Sequence, residues 1–131
     1  MPEYAYHHLH IISSDPDAAA SFFENAFGAT VKDRGIGPDG TAMVRLDLCG
    51  SNVFLKGRAE KPTVQAPAPR STYGLEHFGM VTDDLDAAVA ELKAKGVKFI
   101  QDITNFRPGV RISFLLGPDD IVIELLETKP V

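Results

Sequence analysis

With one cysteine, Cys49, in 131 residues, this chain cannot close an internal disulfide, and a reducing, cytoplasmic setting is the simple reading. No apolar stretch approaches the roughly 20 residues that a membrane-spanning helix requires. Basic residues are outnumbered, 13 Lys and Arg against 18 Asp and Glu, and they are scattered. A net charge of −5 without a basic patch argues against nucleic acid and anionic membrane surfaces as partners. The opening Met1-Pro2-Glu3-Tyr4 carries neither a basic nor an apolar segment, so a secretory leader is not expected. What remains has the composition of a globular domain, 44% hydrophobic and 24% charged, and its length suffices to bury a real core.

The main internal signal is a repeat. His8-Leu9-His10-Ile11-Ile12-Ser13-Ser14-Asp15 lines up with His77-Phe78-Gly79-Met80-Val81-Thr82-Asp83-Asp84. In each a histidine opens a short apolar run and an aspartate follows seven residues later. The two histidines stand just over half a chain apart, so the sequence reads as two copies of one module. After the first run, Asp15 suits a helix N-cap, Pro16 the first helical position and Gly28 the left-handed stop. Phe22, Phe23, Ala26 and Phe27 recur at helical spacing and are expected to form the buried face. The second copy runs from an Asp83/Asp84 cap through Leu85, Ala88, Val89 and Leu92 to Gly96, with Asp83 and Asp86 resembling a capping box.

Strand-like runs follow each helix. They are Ala29–Lys32, Ala42–Leu48 and Asn52–Lys56 in the first copy, turning at Cys49-Gly50-Ser51, and Lys98–Gln101, Arg111–Leu116 and Ile121–Leu126 in the second, turning at Gly117-Pro118-Asp119-Asp120. Each module is therefore βαβββ and the fold class α+β. The expected organisation is a single domain over 1–131. Module 1 spans about 5–60, the linker Lys61–Ser71, with Pro62, Pro67 and Pro69, is extended, and module 2 spans about 73–128.

Strand alternation is expected to put His8 and His10 on one face and His7 on the other, and the repeat puts His77 on the equivalent strand. Glu124 sits inside the apolar run Ile121-Val122-Ile123-Glu124-Leu125-Leu126. A carboxylate buried there without a partner costs several kcal/mol, by order of magnitude, and calls for a cation. Two imidazoles and a carboxylate suit Fe(II), Mn(II), Ni(II) or Zn(II) and leave coordination positions open for substrate. A lone histidine in an apolar strand is more often a satisfied core residue, and a lone glutamate near a terminal strand is more often solvated. The repeat is what raises His8, His77 and Glu124 above that background.

These residues resemble the vicinal oxygen chelate superfamily, which includes glyoxalase I, methylmalonyl-CoA epimerase, extradiol dioxygenases and fosfomycin-resistance transferases. The likeness covers nearly the whole chain. It lies in His8…Asp15-Pro16-Asp17, in Gly74-Leu75-Glu76-His77-Phe78-Gly79 with the helix start that follows, and in Gly117-Pro118-Asp119-Asp120…Ile123-Glu124-Leu125. It implies paired βαβββ modules forming a curved, barrel-like mixed sheet (the glyoxalase-like fold) around a divalent metal, a small-molecule substrate and a family that often forms homodimers. It also implies metal ligands at His8, His77 and Glu124.

One departure stands out. Glyoxalase I-like members take a further carboxylate from the last strand of the first module, where this chain has Phe54 or, if the register slips by two, Lys56. Ring-cleaving dioxygenases need another histidine in the second module and a tyrosine on a late strand. Here no histidine follows His77, and Phe114 stands ten residues before Glu124. The segment Asn105–Arg111 is not the lysine- and serine-containing loop of the fosfomycin enzymes. The resemblance therefore implies metal-assisted proton transfer by a lyase or isomerase, with Glu124 or His10 as the base. Phe54, Lys56 and Arg111 are the candidates to contact substrate, although solvated surface positions are the commoner state for the two cations. A non-haem Fe(II) dioxygenase and a non-enzymatic binding protein of the drug-resistance type are the alternatives.

Overall fold

The structure, a computed structural model, describes Glu3, residues 5–38 and 40–58, Leu75 and residues 77–131. The proline-rich linker expected over Lys61–Ser71 lies outside the described residues. The chain divides into two compact units, Met1–Pro67 and Ala68–Val131.

The first unit contains β1 (Leu9–Ile12), α1 (Pro16–Phe27), β2 (Thr30–Ile36), β3 (Ala42–Leu48) and β4 (Ser51–Lys56). Its mixed sheet has the order β1-β4-β3-β2, with β1 parallel to β4 and the other pairs antiparallel. The second unit repeats the plan with β5 (Phe78–Val81), α2 (Leu85–Ala94), β6 (Lys98–Arg107), β7 (Val110–Leu116) and β8 (Val122–Thr128), in the order β5-β8-β7-β6. Two βαβββ modules and the α+β class are thus observed, and their strands hydrogen-bond as two four-stranded mixed sheets.

Local chemistry sets the helix ends. The Asp15 carboxylate accepts from Ala18 N at 3.0 Å, Pro16 begins α1, and Gly28 ends it at φ 71°, a conformation cheap only without a Cβ. Asp15→Ala is expected to cost about 1 kcal/mol, read as a lower midpoint in urea unfolding. An unchanged midpoint would mean that the cap contributes nothing. In the second unit the cap is Asp84, whose carboxylate accepts from Ala87 N at 3.0 Å. The expected Asp83–Asp86 box is not formed; Asp84 is the N-cap, and Asp86, in the first turn of α2, pairs with Arg111 instead.

The buried face of α1 is Pro16, Ala19, Ala20 and Phe23, with Ala26 and Phe27 half-buried. Phe22 is half-buried as well, and its ring meets those of Phe23 and Phe27 edge-on. The small alanines let the helix approach Val44, Leu46, Leu48, Val53 and Leu55, all buried. In the second unit Leu85, Val89 and Leu92 are buried, as are Ile112, Leu115, Ile123 and Leu125 of the sheet.

The β3–β4 hairpin turns on two residues at positive φ, Cys49 (51°) and Gly50 (91°), with Leu48 paired to Ser51. Positive φ at both central positions is the pattern of the hairpin turn that matches strand twist. Asp47 Oδ1 accepts from Gly50 N at 2.7 Å and favours the turn further. The edge strands β2 and β6 run to Ile36 and Arg107, well past their expected ends, through register shifts that leave most of their side chains exposed.

Candidate functional site

The two modules put equivalent residues at equivalent register positions. In the first unit His10 lies opposite Phe54, and in the second Gly79 lies opposite Glu124. Because His8 and His77 each stand two residues earlier, Phe54 is the counterpart of Glu124. That settles the register, and Lys56 falls one same-face step further along β4, opposite Ile12. An apolar ring stands where the second module has a carboxylate.

Strand parity sets which face each side chain takes. Along β8, Ile123, Leu125 and Glu127 are buried, while Val122, Glu124 and Leu126 alternate onto the other face and are half-buried. Glu127 accepts from Leu85 N at the start of α2, so the buried parity is the helix side. Glu124 therefore projects away from α2, and His77 meets it there. His77 Nε2 lies 3.2 Å from Glu124 Oε2, with the two side chains 27% and 21% exposed. The contact is short enough for a hydrogen bond and brings one nitrogen and one oxygen donor together on a partly solvated surface. Phe114, cross-strand from Glu124, turns its ring edge-on to His77 at 5.2 Å between centroids. A Cβ at Gly79 would stand 3.5 Å from Glu124 Oε2, so the bare glycine leaves that side of the carboxylate uncovered.

In the first unit His8 stacks on Phe54 at 4.4 Å between centroids with planes 20° apart. His10 presents its ring edge to both, 5.9 Å from each. On the other side of the sheet from these rings lie Val53 and Leu55, buried. The guanidinium of Arg45, cross-strand from Phe54, sits 5.3 Å from the same ring. His7 was expected on the opposite face, but β1 starts only at Leu9 and alternation does not extend back to it. Its ring lies 6.3 Å from Phe54, and its Nδ1 lies 2.8 Å from His8 Nδ1. The adjacent pair His7-His8 is the sequence signal for this contact.

Arg111, expected to face a substrate anion, is placed elsewhere. It donates to Asp86 at 2.7 Å and to Glu127 at 3.0 and 3.2 Å, on the helix side of the second sheet. These two carboxylates push its pKa further up, and the Leu85 N–H and Arg111 hold Glu127 below its ordinary 4.5. The cation is already matched, so Arg111 is left out of the candidate site. The buried carboxylate that sequence reasoning sought in this strand is Glu127, whereas Glu124 is half-buried. Among the described residues no three His, Cys, Asp or Glu side chains converge as a metal cluster. What the structure brings together is the His77–Glu124 pair in one unit and the His7, His8, His10 and Phe54 rings in the other. Among the described residues no helix is long and apolar enough to cross a membrane.

Comparison with known proteins agrees with this architecture. Residues 5–125 match the family described as the Glyoxalase/Bleomycin resistance protein/Dioxygenase superfamily. The uncharacterized protein YwkD of Bacillus subtilis (strain 168) is 30% identical over 122 residues, covering 92% of this chain and 94% of its own. Two solved structures share the fold at lower identity. Glyoxalase I of Leishmania major, described as trypanothione-dependent, superposes with a TM-score of 0.72 at 21% identity, covering 95% of this chain and 87% of its own. The fosfomycin resistance protein FosX of Listeria monocytogenes, complexed with Mn(II) and sulfate, gives 0.70 at 15% identity, covering 98% and 95%.

Proposed function

The chain belongs to the Glyoxalase/Bleomycin resistance protein/Dioxygenase superfamily, and from that premise we propose that it is a divalent-metal-dependent lyase or isomerase that transfers a proton on a small substrate with adjacent oxygens. The observation carrying this reading is the half-buried His77–Glu124 pair, two donors held 3.2 Å apart on one face of a sheet. Such a pair fits two ligands of a divalent cation, and His8, at the repeat-equivalent position of the first module, is assigned the third. The set suits Fe(II), Mn(II), Ni(II) or Zn(II), and a structural relative that holds Mn(II) supports the choice. The reading treats the two modules as one working domain.

A divalent cation, when bound, polarises the substrate oxygens and stabilises the charge that develops as the neighbouring C–H is deprotonated. The chain's own residues supply the rest. Glu124 supplies the base, and Gly79 leaves one side of its carboxylate uncovered. His10, on the same face as His8 and Phe54, is the alternative base. Phe54 offers the substrate an apolar wall, and Lys56, further along that face, offers an anionic substituent its charge. Phe114 in contact with His77 weighs against ring cleavage, because it has no hydroxyl to act as a proton donor.

The test is metal loading of the purified protein followed by solvent-deuterium exchange into 2-oxo and 2-hydroxy compounds. Exchange that depends on the metal and fails in Glu124→Gln supports the reading. Oxygen uptake with a catechol and no exchange makes the protein a dioxygenase. A protein that takes up none of Mn, Fe, Ni or Zn is a binding module of the drug-resistance type.

A further inference from the structure

His7 touches His8 through the ring nitrogen that a metal does not need. The two Nδ1 atoms are 2.8 Å apart, a hydrogen-bond distance, so one carries the proton and the other accepts it. If His7 donates, His8 Nδ1 is the acceptor and the His8 proton sits on Nε2, which is then blocked. If His8 donates, its Nε2 lone pair is exposed. Only the second arrangement leaves His8 able to bind a cation through Nε2, the atom that His77 presents to Glu124.

The surrounding contacts hold this arrangement in place although His7 precedes the first strand. Asn52 Nδ2 donates to the His7 carbonyl at 3.0 Å, and Lys32 Nζ donates to Asn52 Oδ1 at 2.8 Å, which ties the segment to β4. The His8 ring is fixed in plane by its stack on Phe54. Two of its degrees of freedom, ring orientation and tautomer, are therefore set by different neighbours.

We infer that His7 is a positioning residue for His8: its Nδ1 accepts a hydrogen bond from His8 Nδ1–H, which fixes that tautomer and leaves Nε2 for the metal. This rests on the reading of His8 as a metal ligand. The partner on the far ring nitrogen of a ligating histidine typically carries about 10–100-fold in metal affinity. His7 is exposed, so its replacement leaves the core of the module alone.

The experiment uses the full-length metal-free protein, labelled with 15N, and reads the His8 tautomer from long-range imidazole correlations at a pH where both rings are neutral. Mn(II) and Zn(II) affinities are then measured by calorimetry for wild type, His7→Phe and His7→Asn. Asparagine keeps an acceptor near the position of Nδ1; phenylalanine keeps the ring and removes the acceptor. The expected result is Nδ1–H on His8 in wild type and in His7→Asn, a shift toward Nε2–H in His7→Phe, and about 10–100-fold weaker metal binding in His7→Phe alone.

Nε2–H on His8 in the wild type, or a His7→Phe protein with wild-type affinity, overturns the inference. Loss of metal in His7→Phe as complete as in His8→Ala makes His7 a ligand and also overturns it. If the wild type takes up no metal, the functional reading fails, and the tautomer measurement alone decides whether His7 sets the state of His8. If His77→Ala and Glu124→Ala lose the metal while His7→Phe keeps it, the functional reading stands and only His7 loses its role.

Discussion

His77→Ala and Glu124→Ala are each expected to lower affinity for a divalent cation by more than about 100-fold while leaving the fold intact. Partners that act only by orienting a ligand are worth about 10–100-fold, so removing a ligand itself has to exceed that range. The two side chains face each other at 3.2 Å and are partly exposed, so neither deletion opens a cavity. Ile123 and Leu125, which flank Glu124 and do the packing, are untouched. The readout is twofold: metal content by elemental analysis, and the rise in melting temperature on adding metal, which follows mass action and vanishes when binding does. Glu91→Ala, on the exposed side of α2 and paired to Lys95 one turn on, is a control that keeps both. Full metal content in both ligand variants would place the site elsewhere.

The parts of this fold legible in the sequence are those set by a few neighbouring residues. Asp15-Pro16 and Gly28 bracket α1 as their chemistry requires, because a cap, a preset φ and a left-handed stop are all local demands. The repeat was legible for the same reason, since each copy of the histidine, apolar run and aspartate builds the same strand-to-helix connection. The ends of β2 and β6 were not. Their extra residues are exposed edge positions held by backbone pairing across irregular register, and an exposed edge leaves no hydrophobic period to read. The fully buried set of α1, Pro16, Ala19, Ala20 and Phe23, shows the limit inside a helix. Four aromatic and small residues at helical spacing define a stripe only to within its width, and the close approach of Ala19 and Ala20 to the sheet selects which edge is buried.

The candidate site divides along the same line. Phe54 and Lys56 were both open to sequence reasoning because a two-residue slip preserves strand parity; only the pairing of His10 with Phe54 and of Gly79 with Glu124 separates them. Parity puts His7 on the opposite face only if alternation runs past the strand, and β1 begins at Leu9. For Glu124, parity was more informative than polarity. Within an apolar strand it is one of two carboxylates three residues apart, and their opposite phases give them different partners. The odd-numbered phase of β8, with Ile123 and Leu125, carries Glu127 under α2. The even phase carries Glu124 to His77.

Glu127→Ala is accordingly expected to be the most damaging single loss of charge in the second module, lowering its melting temperature by on the order of 10 °C. Glu127 is 3% exposed and joins three elements: it accepts from Leu85 N at 2.8 Å, from Arg111 at 3.0 Å, and lies 3.6 Å from Lys129 Nζ. Removing it strands the Leu85 N–H at the first turn of α2 and leaves Arg111 with Asp86 alone. Glu127→Gln keeps a single acceptor oxygen, so either the Leu85 N–H or Arg111 retains its partner while the amide NH2 faces the other, and it is expected to lose less than Glu127→Ala. The pH dependence has a definite sign. Both Glu127 and Asp86 are held below their ordinary values of 4.5 and 3.8, Glu127 first by the Leu85 N–H and then by Arg111, and Asp86 by Arg111. A depressed carboxylate stabilises the fold fully above its ordinary value and loses that contribution as pH falls through the lower folded value. Wild-type stability should therefore fall steadily on the acid side of about 4.5. Arg111→Met removes a shared cause of both depressions, so this variant should be less stable at neutral pH and show a flatter acid decline. Thermal melts from pH 3 to 7, roughly the range that spans these groups, decide the matter. A Glu127→Ala protein melting within about 2 °C of wild type, or parallel acid declines for wild type and Arg111→Met, would show that this network orders α2 against β7 and β8 without stabilising them.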